Sequence, residues 1–194
     1  TGLDFCSKNP GVMHACGHDC HIAMLLGGVK MLMEKKDELQ GNVKIIFQAA
    51  EESCYGARYY VEHGLLDDVD AIYGAHIWGD FDAPYMNFEA GPRMASCDNF
   101  TIEVEGVSAH GSAPNHGIDA ILAAAHIITE LQSIVSRVND PLNPLVVTVG
   151  EIHGGQRFNI IANKVVMEGT TRTHSPEMRA KTEGLIRRIA EHVA

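Results

Sequence analysis

The sequence predicts an α/β fold in which a mainly parallel sheet, with helices on both faces, is joined to an inserted ferredoxin-like α+β unit. Two nearly continuous apolar runs, residues 43–49 and 70–77, flank a helical segment at about 55–63, and such runs are typical of strands covered on both faces. Strand, helix and strand in this order predict a right-handed crossover between parallel strands. Near residue 96 the order changes to strand, helix, strand, strand and helix, the beginning of a ferredoxin-like sandwich.

Hydrophobic periodicity and capping residues place the other elements. Phe100, Ile102 and Val104 alternate with polar residues, as in a half-exposed strand. Ser175 followed by Pro176 is typical of a helix start. The remaining predictions are helices at about 18–39, 117–138 and 176–192, and strands at about 83–88, 145–152 and 164–173. The ferredoxin-like order still lacks its final strand.

Composition narrows the class of protein. The 194 residues carry 15 basic and 25 acidic side chains, and this net charge of −10 argues against nucleic acid or an anionic membrane as the main partner. We find no run of about 18 apolar residues and no cleavable leader, so we expect a soluble, cytoplasmic protein. The cysteines are odd in number, which predicts reduced thiols: Cys6, Cys16, Cys20, Cys54 and Cys97. The missing initiator Met and the end at Ala194 inside a helical pattern lead us to expect the middle of a longer polypeptide.

Metal-binding side chains are densest around Cys16 and His18, which stand two residues apart where a helix begins. In a loop, residues at this spacing turn toward one point, and a thiolate and an imidazole bind Zn, Mn, Co or Ni. The alternative is a buried cysteine beside a surface histidine. His14 and His21 are competing ligands, although we favour supporting roles for both.

Two further segments end in side chains that bind metals. Glu51 and Glu52 follow the first apolar run, and His76 lies at the end of the second. Ligands of parallel sheets bind beyond the carboxyl ends of the strands. Adjacent carboxylates at a buried strand end also need a cation or a shared proton, unless they lie in a solvated loop. We therefore expect these segments to meet Cys16 and His18 at one metal centre.

Several motifs together resemble the aminoacylase and carboxypeptidase family of di-metal amidohydrolases. The resemblance is carried by residues 13–19 (MHACGHD), 47–52 (FQAAEE), 74–78 (GAHIW), 108–114 (SAHGSAP), 154–161 (GGQRFNII) and 168–173 (EGTTRT). The branch that the chain resembles most contains the indole-acetyl-amino-acid hydrolases, hippurate hydrolases and N-acyl-amino-acid deacetylases. The motifs occur in the family's order and cover essentially the whole chain.

The resemblance implies roles for the first group of candidates. Cys16, His18, Glu52 and His76 would bind two divalent metal ions, Mn or Zn before Co or Ni, with the Cys16 thiolate bridging the pair. Glu51 would be the general base that passes a proton from the attacking water to the leaving amine. The family's later segment, absent from this sequence, supplies a further metal-binding histidine.

It also implies that residues 1–95 are part of a metal-binding catalytic domain and residues 96–194 a lid that forms a homodimer. His110 would donate to the oxyanion, in this family often in the partner subunit's active site. Asn159 would be a second donor or would position the substrate. Arg172 would clamp the substrate carboxylate, for which its forked guanidinium is suited, unless it forms a surface ion pair.

The predicted reaction is hydrolysis of an N-acyl-amino acid to a carboxylate and a free amino acid. The alternative within the family is a dipeptidase or an aminopeptidase, for which the sequence offers no dedicated partner to a free α-amine. The alternative outside the enzymes is a metal-binding dimerisation module without activity. The presence of Glu51 together with the four proposed ligands argues against that module.

Overall fold

The computed structural model describes residues 2–53 and 55–194. The chain forms two compact units, the first ending at Phe88 and the second running from Glu89 to Ala194. The domain boundary predicted at residues 95–96 stays a prediction. Cys54 lies outside the described residues, and the other four cysteines are free thiols.

The first unit contains two α-helices. Helix α1, His18–Glu34, begins after Gly17 and is followed by a 3-10 turn, Lys36–Glu38. Helix α2 spans Gly56–Glu62. Both agree with the helices predicted from periodicity at 18–39 and 55–63.

The apolar runs of the first unit do not form the predicted parallel sheet. Residues 43–49, 70–77 and 83–88 are not strands, and the only sheet in the described part of the chain lies in the second unit. Ile45 and Phe47, expected to be covered on both faces, are 37% and 49% exposed. A strand exists only through ladder bonds to a neighbour, and residues 2–53 and 55–88 contain no neighbouring strand to form them. The structure thus corrects the predicted burial of these runs.

The second unit is built on a three-stranded antiparallel sheet with the order β1-β3-β2. Its elements are β1 (Asp98–Glu105), a 3-10 turn (Pro114–His116), α3 (Ala120–Ser133) with a π-helical extension (Ile134–Val138), β2 (Leu145–Gly154), β3 (Lys164–Thr173) and α4 (Pro176–Val193). Strand β3 pairs with both neighbours, and the ladder with β2 shifts register between Val149 and Glu151. The predicted order of strand, helix, strand, strand and helix is confirmed.

The core of this unit lies between the sheet and its helices. Helix α3 buries Ala124, Ile127 and Leu131, spaced three and four residues apart, against Val165 and Met167 of β3. By length and composition alone, residues 120–138 could cross a membrane. In this structure the helix packs its buried residues against the sheet, as the core helix of a folded unit does.

Capping residues set the starts of both helices. Asp119 accepts hydrogen bonds from the backbone N–H groups of Ile121 and Leu122, and Ser175 accepts one from Met178. Each cap satisfies donors that a helix leaves free in its first turn. The helix start predicted at Ser175 is confirmed.

Candidate metal centre

Gly17 determines the conformation of the loop before α1. Its φ of 96° lies in the left-handed region that favours glycine. A Cβ at this position would also meet Cδ1 of Ile77, so a larger residue would force the Ile77 side chain to move. Gly17 thereby holds its neighbours Cys16 and His18 beside the segment that contains His76.

Four predicted site residues come together in the first unit. The ligand atoms of Cys16, His18, Glu51 and Glu52 all lie within 4.8 Å of one another. Nε2 of His18 is 3.2 Å from Oε1 of Glu52 and 3.5 Å from Oε2 of Glu51. The two carboxylates follow a turn at Ala50, which has a positive φ of 55° and whose carbonyl accepts a hydrogen bond from the Ser53 hydroxyl.

His76 supplies a fifth donor atom. Its Nε2 lies 3.1 Å from Sγ of Cys16. Its Nδ1 is hydrogen-bonded to the carbonyl of Ile77, and since a carbonyl only accepts, Nδ1 carries the proton. The Nε2 lone pair therefore faces the thiol, in the arrangement that metal-binding histidines use when a carbonyl fixes their tautomer.

The electrostatics of the cluster favour a cation. Burial raises the pKa of the Cys16 thiol, and a hydrogen bond to Glu52 and the charges of Glu52 and Glu51 raise it further. A thiol, imidazoles and carboxylates are ligands of divalent transition metals, with bonds of about 2.0–2.3 Å. Donors around one such ion lie roughly 3–4 Å apart, close to the distances seen here. The donor set thus fits a divalent metal, which would stabilise the thiolate that the carboxylates disfavour.

His21, one of the competing ligands, uses its Nε2 in a hydrogen bond to the backbone. Its Nε2 accepts a hydrogen bond of 3.1 Å from the backbone N–H of Ile77, and its ring centroid is 4.3 Å from that of His76. Burial lowers the pKa of His21, and the neighbouring His76 and His18 lower it further, against smaller opposing effects of Asp19 and Glu51. The other competitor, His14, has its ring centroid 6.0 Å from that of His18.

In the second unit, His110 is oriented by Ser112. Nδ1 of His110 accepts from the backbone N–H of Ser112 at 3.2 Å and lies 2.7 Å from its hydroxyl oxygen. Because Nδ1 accepts, Nε2 carries the proton and is the donor of the ring. Ser112 was not among the predicted site residues, although it lies two residues after His110 in a motif that carries the resemblance.

Asn159 lies beside the His110 loop. Its carbonyl accepts from the backbone N–H of Gly111 at 2.8 Å, and Ile161 donates to Ala109 at 2.9 Å. The backbone of the two loops is therefore paired, which brings Asn159 and His110 to one end of the unit.

Arg172 on β3 is turned onto its own strand. Its Nη1 donates to the carbonyl of Thr171 at 2.9 Å and to the hydroxyl of Thr170. The sequence left open a surface ion pair for Arg172, but its Nη1 bonds these two oxygens and no carboxylate of the described residues.

Comparison with known proteins agrees with this chemistry. The model of Peptidase family M20/M25/M40 matches residues 1–193. The chain is 42% identical over 194 residues to an N-acetyl-L-cysteine deacetylase of Bacillus subtilis, covering all of this chain and 47% of that protein. It is 41% identical over 192 residues to an N-acyl-L-amino acid amidohydrolase of Geobacillus stearothermophilus, covering 98% of this chain and 52% of that protein.

A solved structure is similar over the whole chain. It is described as a dinuclear metal-binding peptidase of the M20 family from Bacillus subtilis, with 38% identity and a TM-score of 0.71, and the match covers 100% of this chain and 48% of that one. The fold and the cluster of metal-type side chains define a metallopeptidase-like class. The chain belongs to Peptidase family M20/M25/M40, and the branch predicted from the motifs is confirmed. It spans about half the length of the curated relatives it matches.

Proposed function

We propose that the whole protein is a metal-dependent amidohydrolase that cleaves N-acyl-amino acids to a carboxylate and a free amino acid. The observation that carries this proposal is the cluster of Cys16, His18, Glu51 and Glu52, whose ligand atoms lie within 4.8 Å of one another. The relatives named as a deacetylase and as an amidohydrolase act on N-acyl-amino acids by their names, which supports the same substrate class here.

In this proposal Cys16, His18, Glu52 and His76 hold two divalent cations, Mn or Zn before Co or Ni. The solved relative described as dinuclear supports the number of ions. Cys16 would be a ligand of this centre, because its Sγ lies 3.1 Å from Nε2 of His76 and within 4.8 Å of the ligand atoms of His18, Glu51 and Glu52. When bound, such ions lower the pKa of water and polarise a carbonyl group.

Glu51 is the general base. Its side chain is 57% exposed, so that water reaches it, and its Oε2 lies 3.5 Å from Nε2 of His18. Glu51 takes a proton from the attacking water as the new C–O bond forms. It delivers that proton to the amide nitrogen as the C–N bond breaks, which releases the amine.

The second unit supplies groups that bind and orient the substrate. His110 donates from Nε2 to the developing oxyanion, because Ser112 occupies its Nδ1. Asn159, whose loop is paired with that of His110, is a second donor or positions the substrate. Arg172 binds the substrate carboxylate through the guanidinium nitrogens other than Nη1.

We further propose the architecture that the family resemblance implies. Residues 1–95 belong to a catalytic domain in which the runs at 43–49 and 70–77 become parallel strands of the whole protein. Residues 96–194 are a ferredoxin-like lid that forms a homodimer. The odd number of cysteines, of which the four in the described residues are free thiols, supports a reducing compartment such as the cytoplasm.

The test is a substrate panel offered to the whole protein loaded with Mn or Zn. It contains N-acetyl-cysteine, other N-acetyl-amino acids, hippurate and dipeptides, with release of free amino acid as the readout. Turnover of the N-acyl compounds above the dipeptides is expected. Preference for dipeptides would move the assignment to a peptidase, and bound metal without turnover of any compound would favour a binding module.

A further inference from the structure

The imidazole of His21 contacts the segment that contains His76, although the two histidines are 55 positions apart in sequence. Nε2 of His21 accepts the backbone N–H of Ile77 at 3.1 Å. The rings of His21 and His76 lie 4.3 Å apart, with their planes 58° from one another. Helix α1 is thereby joined to the residue that directly follows His76.

The backbone of Ile77 has a second role, because its carbonyl is hydrogen-bonded to Nδ1 of His76. One residue therefore connects the two histidines. Its N–H is held by His21, and its C=O sets the orientation and tautomer of His76. Since the N–H of Ile77 belongs to the planar peptide that also contains Cα of His76, holding that N–H restrains the backbone from which the His76 side chain leaves.

The same contact bears on whether His21 binds metal. An Nε2 that accepts a backbone N–H has its lone pair engaged and is not available to an ion. His18 and His21 are three residues apart on α1, so they lie on one side of the helix. One of them faces the carboxylates of Glu51 and Glu52, while the other faces the backbone of Ile77.

We propose that His21 is a positioning residue that sets the metal affinity of the site by holding the Ile77 backbone, and with it His76, against Cys16. This inference rests on the proposed metal site. Hydrogen-bond partners behind metal-binding histidines typically change metal affinity about 10–100-fold when they are removed. His21 differs from such a partner in that it acts through the backbone on which the neighbouring imidazole is mounted.

Two variants of the whole protein separate this role from general packing. His21→Gln places an amide oxygen near the position of Nε2 and keeps an acceptor for Ile77, whereas His21→Leu fills similar space without one. The affinity for Co²⁺, measured by competition with a chromophoric chelator, is expected to fall about 10–100-fold in His21→Leu. In His21→Gln the Co²⁺ affinity should stay within about threefold of the parent value. The Zn²⁺ affinities of the parent, His21→Gln and His21→Leu should follow the same order.

The Co²⁺ absorption spectrum is the second readout. The thiolate-to-cobalt band should persist in His21→Leu because Cys16 is not on the displaced segment, while the visible bands change as His76 loosens. His63→Leu is the matched control, since His63 in the same unit stacks on Tyr59 and bonds its carbonyl. It should bind Co²⁺ like the parent protein.

The outcomes distinguish this inference from the proposed function. If Cys16→Ala leaves Co²⁺ binding unchanged, the metal site itself is misassigned. If Cys16→Ala loses the metal but His21→Leu binds as tightly as the parent, the positioning role is wrong and the site stands. Equal losses in His21→Gln and His21→Leu would also overturn the inference, because they would make the imidazole itself a ligand.

Discussion

Sγ of Cys16 and Nε2 of His76 lie 3.1 Å apart, although 60 positions separate these residues in sequence. The thiol belongs to the loop before α1, and the imidazole belongs to a segment that pairs with no strand in the part of the chain that the structure describes. Their contact therefore depends on a few local interactions, which involve Gly17, the backbone of Ile77 and the ring of His21. Substitution of Gly17 or of His21 should therefore disturb the contact between Cys16 and His76.

Gly17→Ala is expected to disturb the site. The new Cβ would meet Cδ1 of Ile77 and would sit at a φ of 96°, where a non-glycine residue costs about 1–2 kcal/mol. We expect lower stability and a loss of metal affinity, measured by thermal unfolding and by metal competition. Gly28→Ala is the control, because its Cβ would meet no atom within 4 Å and alanine favours the interior of α1. A metal affinity of Gly17→Ala equal to that of Gly28→Ala would contradict the prediction.

Glu51→Gln is expected to keep the metal and to lose the reaction. The amide cannot accept a proton, so kcat should fall about 10²–10⁴-fold, while the bound metal per chain changes little. The comparison variant is Glu52→Gln, which removes a proposed ligand and should lower metal content first. Steady-state kinetics and metal analysis of the same samples separate the two effects, and a near-normal rate for Glu51→Gln would remove it from the base role.

His110→Ala should slow the chemical step more than it lowers metal content. Removing one oxyanion donor typically costs about 10²–10³-fold in kcat. Ser112→Ala should give a smaller loss, since the Ser112 hydroxyl only orients the ring at Nδ1 and the backbone N–H remains. Loss of metal without loss of rate per bound metal would instead indicate that His110 is a ligand.

The ion pair of Asp98 and Arg179 makes the second unit sensitive to acid. Two hydrogen bonds of 2.8 Å and 2.6 Å join the side chains, and the bonds to Arg179 hold the pKa of Asp98 below its usual value, against a smaller opposing effect of burial. A carboxyl group with a lowered folded pKa stabilises the fold above its unfolded pKa, near 3.9. This stabilisation is lost as pH falls through the lower folded value.

Asp98→Asn should therefore reduce stability near neutral pH and flatten its dependence on pH in the acid range. Urea unfolding between about pH 2 and 6 measures this, since the window spans the unfolded pKa near 3.9 and the more acidic range into which the folded pKa is lowered. The effect should be modest, because both side chains are partly exposed and solvent screens the pair. Glu183→Gln, in an exposed pair with Arg187, is the control and should leave stability nearly unchanged.

Leu131→Ala tests the core of the second unit. Leu131 is fully buried on α3, and its truncation leaves a cavity, which typically costs about 2–5 kcal/mol. Leu142→Ala is the surface control, at 88% exposure, and should be nearly neutral. Similar unfolding midpoints for the two variants would show that the assigned core does not stabilise this unit.

The sequence by itself determined most of the second unit. The 3.6-residue period of α3, the alternation in β1 and the capping serine before α4 are local signals, so each element could be predicted within a few residues. The side chains of the site were also visible, because Cys16 and His18 are metal-ligand types two residues apart at a helix start, and Glu51, Glu52 and His76 end apolar runs. Their grouping followed from the expectation that such ends meet.

Only the tertiary structure decided the rest. The runs at 43–49 and 70–77 carry the composition of buried strands, yet pairing requires a neighbour, which local sequence does not specify. The choice of Ile77 as the partner of both His21 and His76 is invisible in the sequence for the same reason. A backbone N–H or C=O is identical at every position except proline, so its partner is set by the distances that the folded chain creates and by no pattern of side chains.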